Sequence, residues 1–266
     1  MNTIKKIIVS GFLLLVTPPL PAKEFLNTIM HINFGATYGF IYGDIIDEEK
    51  NSYYITEHSG GKDRDVRPAH YDSTFSIFVD FTPLPPLILG DEAHALKFGV
   101  RGAFKFQFIN QTITIAEGST DKSYGGDFII TRTWMAGPVI HYAPFINASG
   151  LSDNYTAGGG FTLFFLYGRI LNGKLYGYPA KRDYEGAASV SNYQANITGY
   201  RLDMGMGGEI SICSINLGLN LYYSIMEINL SPAIYPNLGD RSKLTEFCFE
   251  IYMGIPIEWD DLSKIF

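Results

Sequence analysis

The residues from 96 to 108 alternate between apolar and polar side chains with a period of two. Phe98 and Phe104 belong to the apolar set, and Lys97 and Arg101 belong to the polar set. Successive side chains of a β-strand point to opposite faces, whereas a helix would mix the two sets on every face. The segment is therefore predicted to be a strand with one hydrocarbon face and one basic face.

Similar segments recur along the chain and predict the fold class. The eight predicted strands span residues 32–42, 74–81, 96–108, 128–140, 155–169, 197–210, 216–227 and 246–257. Most reach the roughly 9 to 11 residues that a tilted strand needs to cross a bilayer, whereas strands of soluble proteins average about five or six. We predict an all-β, antiparallel up-and-down transmembrane β-barrel of eight strands, or of ten if residues 51–56 and their neighbours add two more.

The connections between these strands alternate in character. Those at 43–73, 110–126, 171–195 and 230–244 are polar and longer, while those at 83–94, 142–153 and 211–215 are shorter or rich in apolar residues and proline. Long loops on one rim and short turns on the other are typical of barrels in the bacterial outer membrane. The short turns are thus predicted to lie on the periplasmic side.

The first 22 residues have the layout of a secretory signal peptide. Lys5 and Lys6 precede an apolar run over residues 7–16, and Ala22 supplies a small side chain at a plausible cleavage point. This run is shorter than the roughly 20 residues that a membrane-spanning helix needs. We expect residues 1–22 to be removed and residues 23–266 to form a single outer-membrane barrel domain.

Composition and motifs exclude several classes of function. Without residues 1–22 the chain keeps 18 basic and 27 acidic residues, a net charge of −9, so nucleic acid is not an expected partner. No zinc, redox, phosphate-binding or serine-hydrolase motif occurs. We predict no catalytic residues, no metal site, no cofactor and no enzymatic activity. Cys213 and Cys248 are predicted near opposite ends of the barrel, too far apart for a disulfide, and therefore to be free thiols.

The polar faces of the predicted strands carry charges of both signs. Because Lys or Arg facing lipid at the bilayer midplane costs about 2–4 kcal/mol, these charges are predicted to point into the lumen. The predicted lumen-facing set is Lys97, Arg101, Lys105, Arg132, Arg201, Asp80, Asp203, Glu209, Glu246 and Glu250. A symmetric turn would place Asp80 across from Lys97. The interior of eight strands is just wide enough for side chains to fill, so the set could form a salt-bridged plug or line a narrow polar pore.

Aromatic residues recur near the predicted strand ends. Girdles of tyrosine and tryptophan mark the two membrane interfaces of such barrels. The predicted interface residues are Tyr42, Tyr142, Tyr155, Tyr167, Tyr200, Tyr223 and Trp259.

In its eight long amphipathic strands, four outer loops and terminal Phe266, the chain resembles the small eight-stranded outer-membrane proteins of the OmpW and opacity-porin kind. The OmpW-type resemblance implies passage of small, mainly apolar solutes through a narrow or laterally opening barrel. The opacity-type resemblance implies instead a surface-exposed adhesin with a plugged lumen that acts through its outer loops. The partners to expect are outer-membrane lipid, the outer-membrane assembly machinery, and small apolar solutes or host surface molecules.

Two further points stay open at this stage. A barrel satisfies all its backbone hydrogen bonds alone, so a monomer is the default expectation. Period two by itself does not say which face is inside. A soluble eight-stranded ligand carrier in the lipocalin style, with its apolar faces turned inward, is therefore an alternative that the structure can test.

Overall fold

The computed structural model describes eight stretches of the chain: residues 28–44, 65–89, 94–117, 120–144, 157–177, 193–212, 215–229 and 241–258. Several sequence predictions fall outside these residues. They are the signal peptide, the added strands near 51–56, Cys213, Tyr155, Trp259 and Phe266.

The described residues are almost entirely β-strand. The strands are β1 Thr28–Gly43, β2 Asp65–Phe81, β3 Leu87–Leu89, β4 His94–Glu117, β5 Thr120–Pro144, β6 Ala157–Gly177, β7 Tyr193–Ile212, β8 Ile215–Asn229 and β9 Arg241–Glu258. Among the residues described, no helix has the length and apolar character to cross a membrane.

Eight of these strands close into an antiparallel barrel. From β4 to β9 each strand pairs with the next in the chain, β9 pairs back to β1, and β2 lies between β1 and β4. The short strand β3 pairs only with the beginning of β4. The predicted fold class is confirmed, and the described residues form eight barrel strands rather than ten. We call the end at which β1 begins and β9 ends the lower end, and the opposite end the upper end.

Four strands extend well beyond their predicted bounds: β2 begins at Asp65, β6 ends at Gly177, and β4 and β5 are the longest. β4 has 24 residues and β5 has 25, and they remain paired as far as Glu117 and Thr120. Most of the predicted loop at 110–126 is therefore strand. The reason is that Thr112 to Ile115 continue the alternation with β-branched residues, which favour strands even where they are polar. At about 3.3 Å per residue these two strands are more than twice as long as a bilayer crossing requires.

The alternation separates an apolar outer face from a polar inner face. On β9, Phe249, Ile251 and Met253 are exposed while Cys248, Glu250 and Tyr252 are buried. Ile251 has the highest exposure of these residues, 70%. The other barrel strands also have their apolar side chains on the exposed face. A soluble carrier would show the opposite arrangement, so the lipocalin-like alternative is wrong. An apolar outer band of this kind is the arrangement expected where lipid covers a barrel.

Candidate functional site inside the barrel

The interior of the barrel is the candidate site, because charged side chains from many strands meet there. Nine of the ten residues predicted to face the lumen are buried: Lys97, Arg101, Lys105, Arg201, Asp80, Asp203, Glu209, Glu246 and Glu250. Lys105 on β4 contacts Asp203 on β7, which is not a neighbouring strand, so this pair crosses the lumen.

Arg132 differs from the prediction and lies on the outer face. Its neighbours Thr131 and Thr133 are buried, which fixes the inward parity of β5 and turns Arg132 outward. There its guanidinium carbon lies 5.4 Å from the centre of the Phe106 ring. Arg169 is also exposed and lies 5.5 Å from the Tyr200 ring. Long basic side chains on the outer face can reach the headgroups while their stems stay on the apolar band.

The most densely bonded part of the interior is the Arg201 network, formed by Arg201, Asp203, Glu246, Lys105 and Gln107. Arg201 donates to Asp203 at 2.8 Å, to the Gln107 carbonyl at 2.9 Å and to Glu246 at 3.1 Å. Lys105 donates to the other Asp203 oxygen at 2.7 Å, and Gln107 donates to the other Glu246 oxygen. Each carboxylate oxygen of this network thus has a charged or amide donor.

A second group lies next to the Arg201 network and is built around Glu250. One Glu250 oxygen accepts from Ser76 at 2.5 Å and from Thr37 at 3.4 Å, and the other accepts from Asn220 at 2.7 Å. The Tyr222 hydroxyl donates to Thr37, and its ring lies 3.9 Å below the Lys105 ammonium. Neutral donors therefore hold a carboxylate that has no direct salt bridge among the described residues.

Closer to the lower end, Asp80 pairs with Arg101. The symmetric turn had predicted Lys97 as its partner, and that prediction was wrong. Asp80 and Arg101 are direct register partners, and two hydrogen bonds of 2.6 and 2.7 Å join them. The reason is that β3 continues the descending chain and pairs with the start of β4, Leu89 with His94. The two strands are therefore offset from the register that a symmetric turn over residues 83–94 would give. Lys97 donates instead to the carbonyl of Thr28.

Two phenyl rings enclose the Arg101 guanidinium. Its central carbon lies 4.3 Å from the Phe78 ring and 4.5 Å from the Phe164 ring. Cation–π contacts of this kind gain strength when water is excluded. Asp80 and the two rings thus compensate the buried Arg101 charge at this level of the lumen.

The lowest group is the His31–His141–Glu209 cluster. Each of the three residues lies three positions from the lower end of its strand, so they meet at one height from β1, β5 and β7. The Nδ1 atoms of His31 and His141 are both 3.9 Å from Glu209 Oε1. The Tyr252 hydroxyl donates to Glu209 Oε2 at 3.1 Å. The sequence search for linear motifs could not find this cluster, since its members are far apart in the chain.

A glycine makes room for the tyrosine of this region. Gly218 on β8 is the register partner of Tyr252 on β9. A Cβ atom at Gly218 would lie 2.1 Å from the Tyr252 ring. The absent side chain thus allows the Tyr252 ring to fold over β8 with its hydroxyl on Glu209.

Above the Arg201 network the interior changes from charged to aliphatic. The buried residues that form this aliphatic layer are Ile41, Ile109, Ile129, Ile170, Leu175, Ile197, Met226, Ile228 and Leu244. Met226 joins the two regions, because its sulfur lies 3.8 Å from Arg201. Among the described side chains, the inner surface is therefore mainly aliphatic above the Arg201 network, with Asp72 and Ser242 as buried polar members, and charged below it.

The predicted interface aromatics lie on the outer face where the structure describes them. Tyr42, Tyr167, Tyr200 and Tyr223 are exposed, and Tyr142 is half-buried. Tyr42 lies at the upper end and Tyr142 at the lower end, while Tyr167 stacks on Tyr200 with ring centres 5.8 Å apart. Sequence reasoning missed Trp134, which is 58% exposed and packs on Phe104. The position of Trp134 in the alternation of β5 could have predicted that it faces outward.

The cysteine that the structure describes is a free thiol. Cys248 is buried, and its sulfur lies 3.5 Å from Glu246. It packs in a cluster with Phe78, Phe164 and Tyr252. This environment is that of a small core side chain rather than a reactive thiol.

Comparisons with known proteins give remote structural likeness and no relative by sequence. No protein-family model matches the chain, and no curated protein matches it. OprG from Pseudomonas aeruginosa is similar over 87% of this chain and 97% of that chain, with 14% identity and a TM-score of 0.35. Ail, the attachment invasion locus protein of Yersinia pestis, covers 87% and 99% with 12% identity and a TM-score of 0.34. The β domain of the Bordetella autotransporter BrkA covers 87% and 100% with 9% identity and a TM-score of 0.22.

The architecture follows from the chain's own geometry. It has eight closed antiparallel strands, an apolar outer band and a polar interior. Only a closed barrel lets strands cross a bilayer without unpaired backbone groups. The described residues thus form an eight-stranded antiparallel barrel with an apolar outside and a polar inside, which is the architecture that the family resemblance implied.

Proposed function

We propose that this barrel resides in the bacterial outer membrane and admits small, mainly apolar solutes through its upper part, with exit sideways into the membrane. The observation that carries the proposal is the two-part interior: an aliphatic layer lies directly above the Arg201 network. Transfer of an apolar solute from water to the aliphatic layer is favourable, whereas the Arg201 network offers such a solute no favourable contact. The lower end, where the chain enters and leaves the barrel, is then periplasmic.

Straight passage of ions through the lumen is not part of this proposal. Arg201, Asp203 and Glu246 are fully buried and hydrogen-bonded to one another. Opening a continuous water path would require separating these pairs, and breaking a buried pair costs several kcal/mol. The charged interior supports a plugged lumen.

The seam between β5 and β6 offers the best support for a lateral exit. Its register runs from Ala136–Tyr167 to Val139–Phe164 and omits the pairs at Gly137 and Pro138. Proline has no N–H to donate to the ladder, so the wall is locally weaker there. A register shift between Arg132 and Thr133 interrupts the same seam higher up.

The alternative function is surface adhesion, and one observation favours it. The paired β4 and β5 strands have 24 and 25 residues, so their upper ends extend beyond the bilayer. Such a projecting hairpin is an accessible surface for host molecules. Neither function requires catalysis, and we propose that the chain is a monomeric non-enzymatic barrel.

A disulfide across the β5–β6 seam tests the solute proposal. Ala136 and Tyr167 are register partners on the outer face, so cysteines at both positions can be bridged, in a chain whose own cysteines are changed to serine. The readout is the rate at which cells take up the apolar dye N-phenyl-1-naphthylamine into the outer membrane. We expect the oxidised staple to slow uptake and reduction to restore it.

The matched control is a staple at Leu219 and Ile251, which are register partners on the β8–β9 seam. It is expected to leave uptake unchanged in both redox states. Dye uptake that does not depend on the folded barrel would contradict the solute proposal. Loss of host-cell binding on shortening the β4–β5 hairpin would then support adhesion.

A further inference from the structure

We propose that the His31–His141–Glu209 cluster binds one divalent transition-metal ion in the lower lumen. The ligands would be the two Nδ1 atoms and Glu209 Oε1. All three residues are buried, and their ligand atoms lie within 4.8 Å of one another. Both nitrogens are 3.9 Å from the carboxylate oxygen, which is too long for a hydrogen bond. The three atoms thus face a common point without satisfying one another.

Neighbouring groups hold two of these ligands in the orientation that metal binding requires. His141 Nε2 lies 3.1 Å from an Asp80 oxygen at an angle that makes no hydrogen bond, so the carboxylate favours the ring hydrogen at Nε2, and the lone pair at Nδ1, through its charge alone. The Tyr252 hydroxyl donates to Glu209 Oε2, so Oε1 is the oxygen that would bind the ion. Carboxylate and hydroxyl partners of this kind orient the ligands in metal sites. Thr162 contacts His141 Nδ1 at 3.2 Å and Asn216 contacts His31 Nδ1 at 3.5 Å, so both side chains would have to move away on binding.

The donor set indicates the class of ion. Two imidazole nitrogens and one carboxylate suit Zn²⁺, Co²⁺ or Ni²⁺, whereas Ca²⁺ and Mg²⁺ prefer oxygen ligands only. Metal–ligand bonds near 2.0–2.2 Å place tetrahedral ligands about 3.4 Å apart. Each nitrogen–oxygen separation of 3.9 Å would therefore close by about half an ångström, and the two nitrogens, which lie within 4.8 Å of each other, by up to about 1.4 Å.

The local charge also favours a cation. Among the described residues, six carboxylates are buried with four Lys and Arg side chains: Asp72, Asp80, Asp203, Glu209, Glu246 and Glu250 against Lys97, Arg101, Lys105 and Arg201. Of the four cations, Arg101 is held by Asp80, Lys105 and Arg201 are held in the Arg201 network, and Lys97 donates to the Thr28 carbonyl. In the described part of the chain no Lys or Arg pairs with Glu209. An ion there would join three strands that are not neighbours in the barrel.

A second set of metal-ligand side chains does not share these properties. Asp72, Glu246 and Cys248 also lie close together. Both oxygens of Glu246 already accept from Arg201 and Gln107, and Thr74 donates to both oxygens of Asp72. These hydrogen bonds occupy the atoms that would bind an ion, so this set serves as an internal control.

The test is titration of the full chain, purified in detergent and treated with chelator, with Zn²⁺ followed by calorimetry. Co²⁺ absorbance reports the ligand geometry. We expect one ion per folded barrel and a Kd raised by at least about tenfold in His141→Gln and Glu209→Gln. Tyr252→Phe keeps the aromatic ring and removes only the hydrogen bond to Glu209. It is expected to weaken binding while the heat-modifiable gel shift of a folded barrel is retained.

Two variants act as matched controls. His94→Gln removes a histidine at the same end of the barrel that stacks on Tyr142, away from the cluster. Cys248→Ser removes a ligand of the second set. Both are expected to bind Zn²⁺ as the unchanged chain does. Folded protein that binds no Zn²⁺, or that binds it equally well after His141→Gln and Tyr252→Phe, would overturn the proposal.

Discussion

The Arg201 network and the His31–His141–Glu209 cluster use similar side chains in the same lumen, yet their geometries differ. In the network, charged partners lie 2.7 to 3.1 Å apart and each oxygen has a donor. In the cluster, the central oxygen lies 3.9 Å from both imidazoles. Buried charges are tolerated only when they are compensated. The network is compensated internally and acts as structure, whereas the cluster leaves room for an external cation.

The largest loss of stability is expected for a substitution at Arg201. Arg201→Met leaves Asp203 and Glu246 buried without their main partner, so we expect the free energy of unfolding to fall by about 3–5 kcal/mol. Urea unfolding of the barrel in lipid vesicles measures this change.

An exposed ion pair provides the control for that substitution. Arg241 and Glu227 contact at 2.9 Å, but their side chains are 72% and 47% exposed. Arg241→Met should therefore cost less than about 1 kcal/mol. Equal effects of the two arginine substitutions would mean that the network is not the stabilising element described here.

The outer face gives the next largest effect. Leu219 is exposed within β8, and Leu219→Arg would place a charge in the hydrocarbon at a cost of about 2–4 kcal/mol. Tyr42→Arg, at the upper end of β1, should cost no more than about 1 kcal/mol because the penalty falls towards the interface. The measurement is again unfolding in vesicles, and a Leu219→Arg variant as stable as Tyr42→Arg would argue against a lipid-covered band.

A smaller difference separates two buried glutamates. Glu250→Gln turns an amide N–H₂ towards at least one existing donor, Ser76 or Asn220, and should cost about 1–3 kcal/mol. Glu209→Gln can keep its carbonyl on Tyr252 and turn its amide towards the imidazoles, so it should cost less than about 1 kcal/mol without metal. If Glu209→Gln lowered the free energy of unfolding more than Glu250→Gln does, Glu250 would not be the better hydrogen-bonded of the two glutamates.

The sequence predicted the strands and most of the inward face because both depend on local alternation. The pattern over residues 96–108 places Lys97, Arg101 and Lys105 on one side, and the structure buries all three. The predicted inward orientation of Arg132 was wrong, because both faces of β5 carry polar residues there. On β5, Thr131 and Thr133 take the inward positions, and Arg132 between them faces out.

Register and convergence could not be predicted from one sequence. Asp80 meets Arg101 because the register of this hairpin depends on the pairing of β3 with the start of β4. His31, His141 and Glu209 meet only after the barrel closes, since β1, β5 and β7 are not adjacent. The available signal was that each has inward parity and lies near the lower end of its strand, which is too weak to identify a site alone.

The central claim is that the charged interior closes the lumen to ions. It is tested most directly by single-channel recording of the folded barrel in a planar bilayer, with folding checked by the heat-modifiable gel shift. No discrete conductance steps are expected, because an open water path would require separating the buried Arg201 network and the Arg101–Asp80 pair. Reproducible ohmic steps from folded protein would contradict it and would show a continuous polar pore.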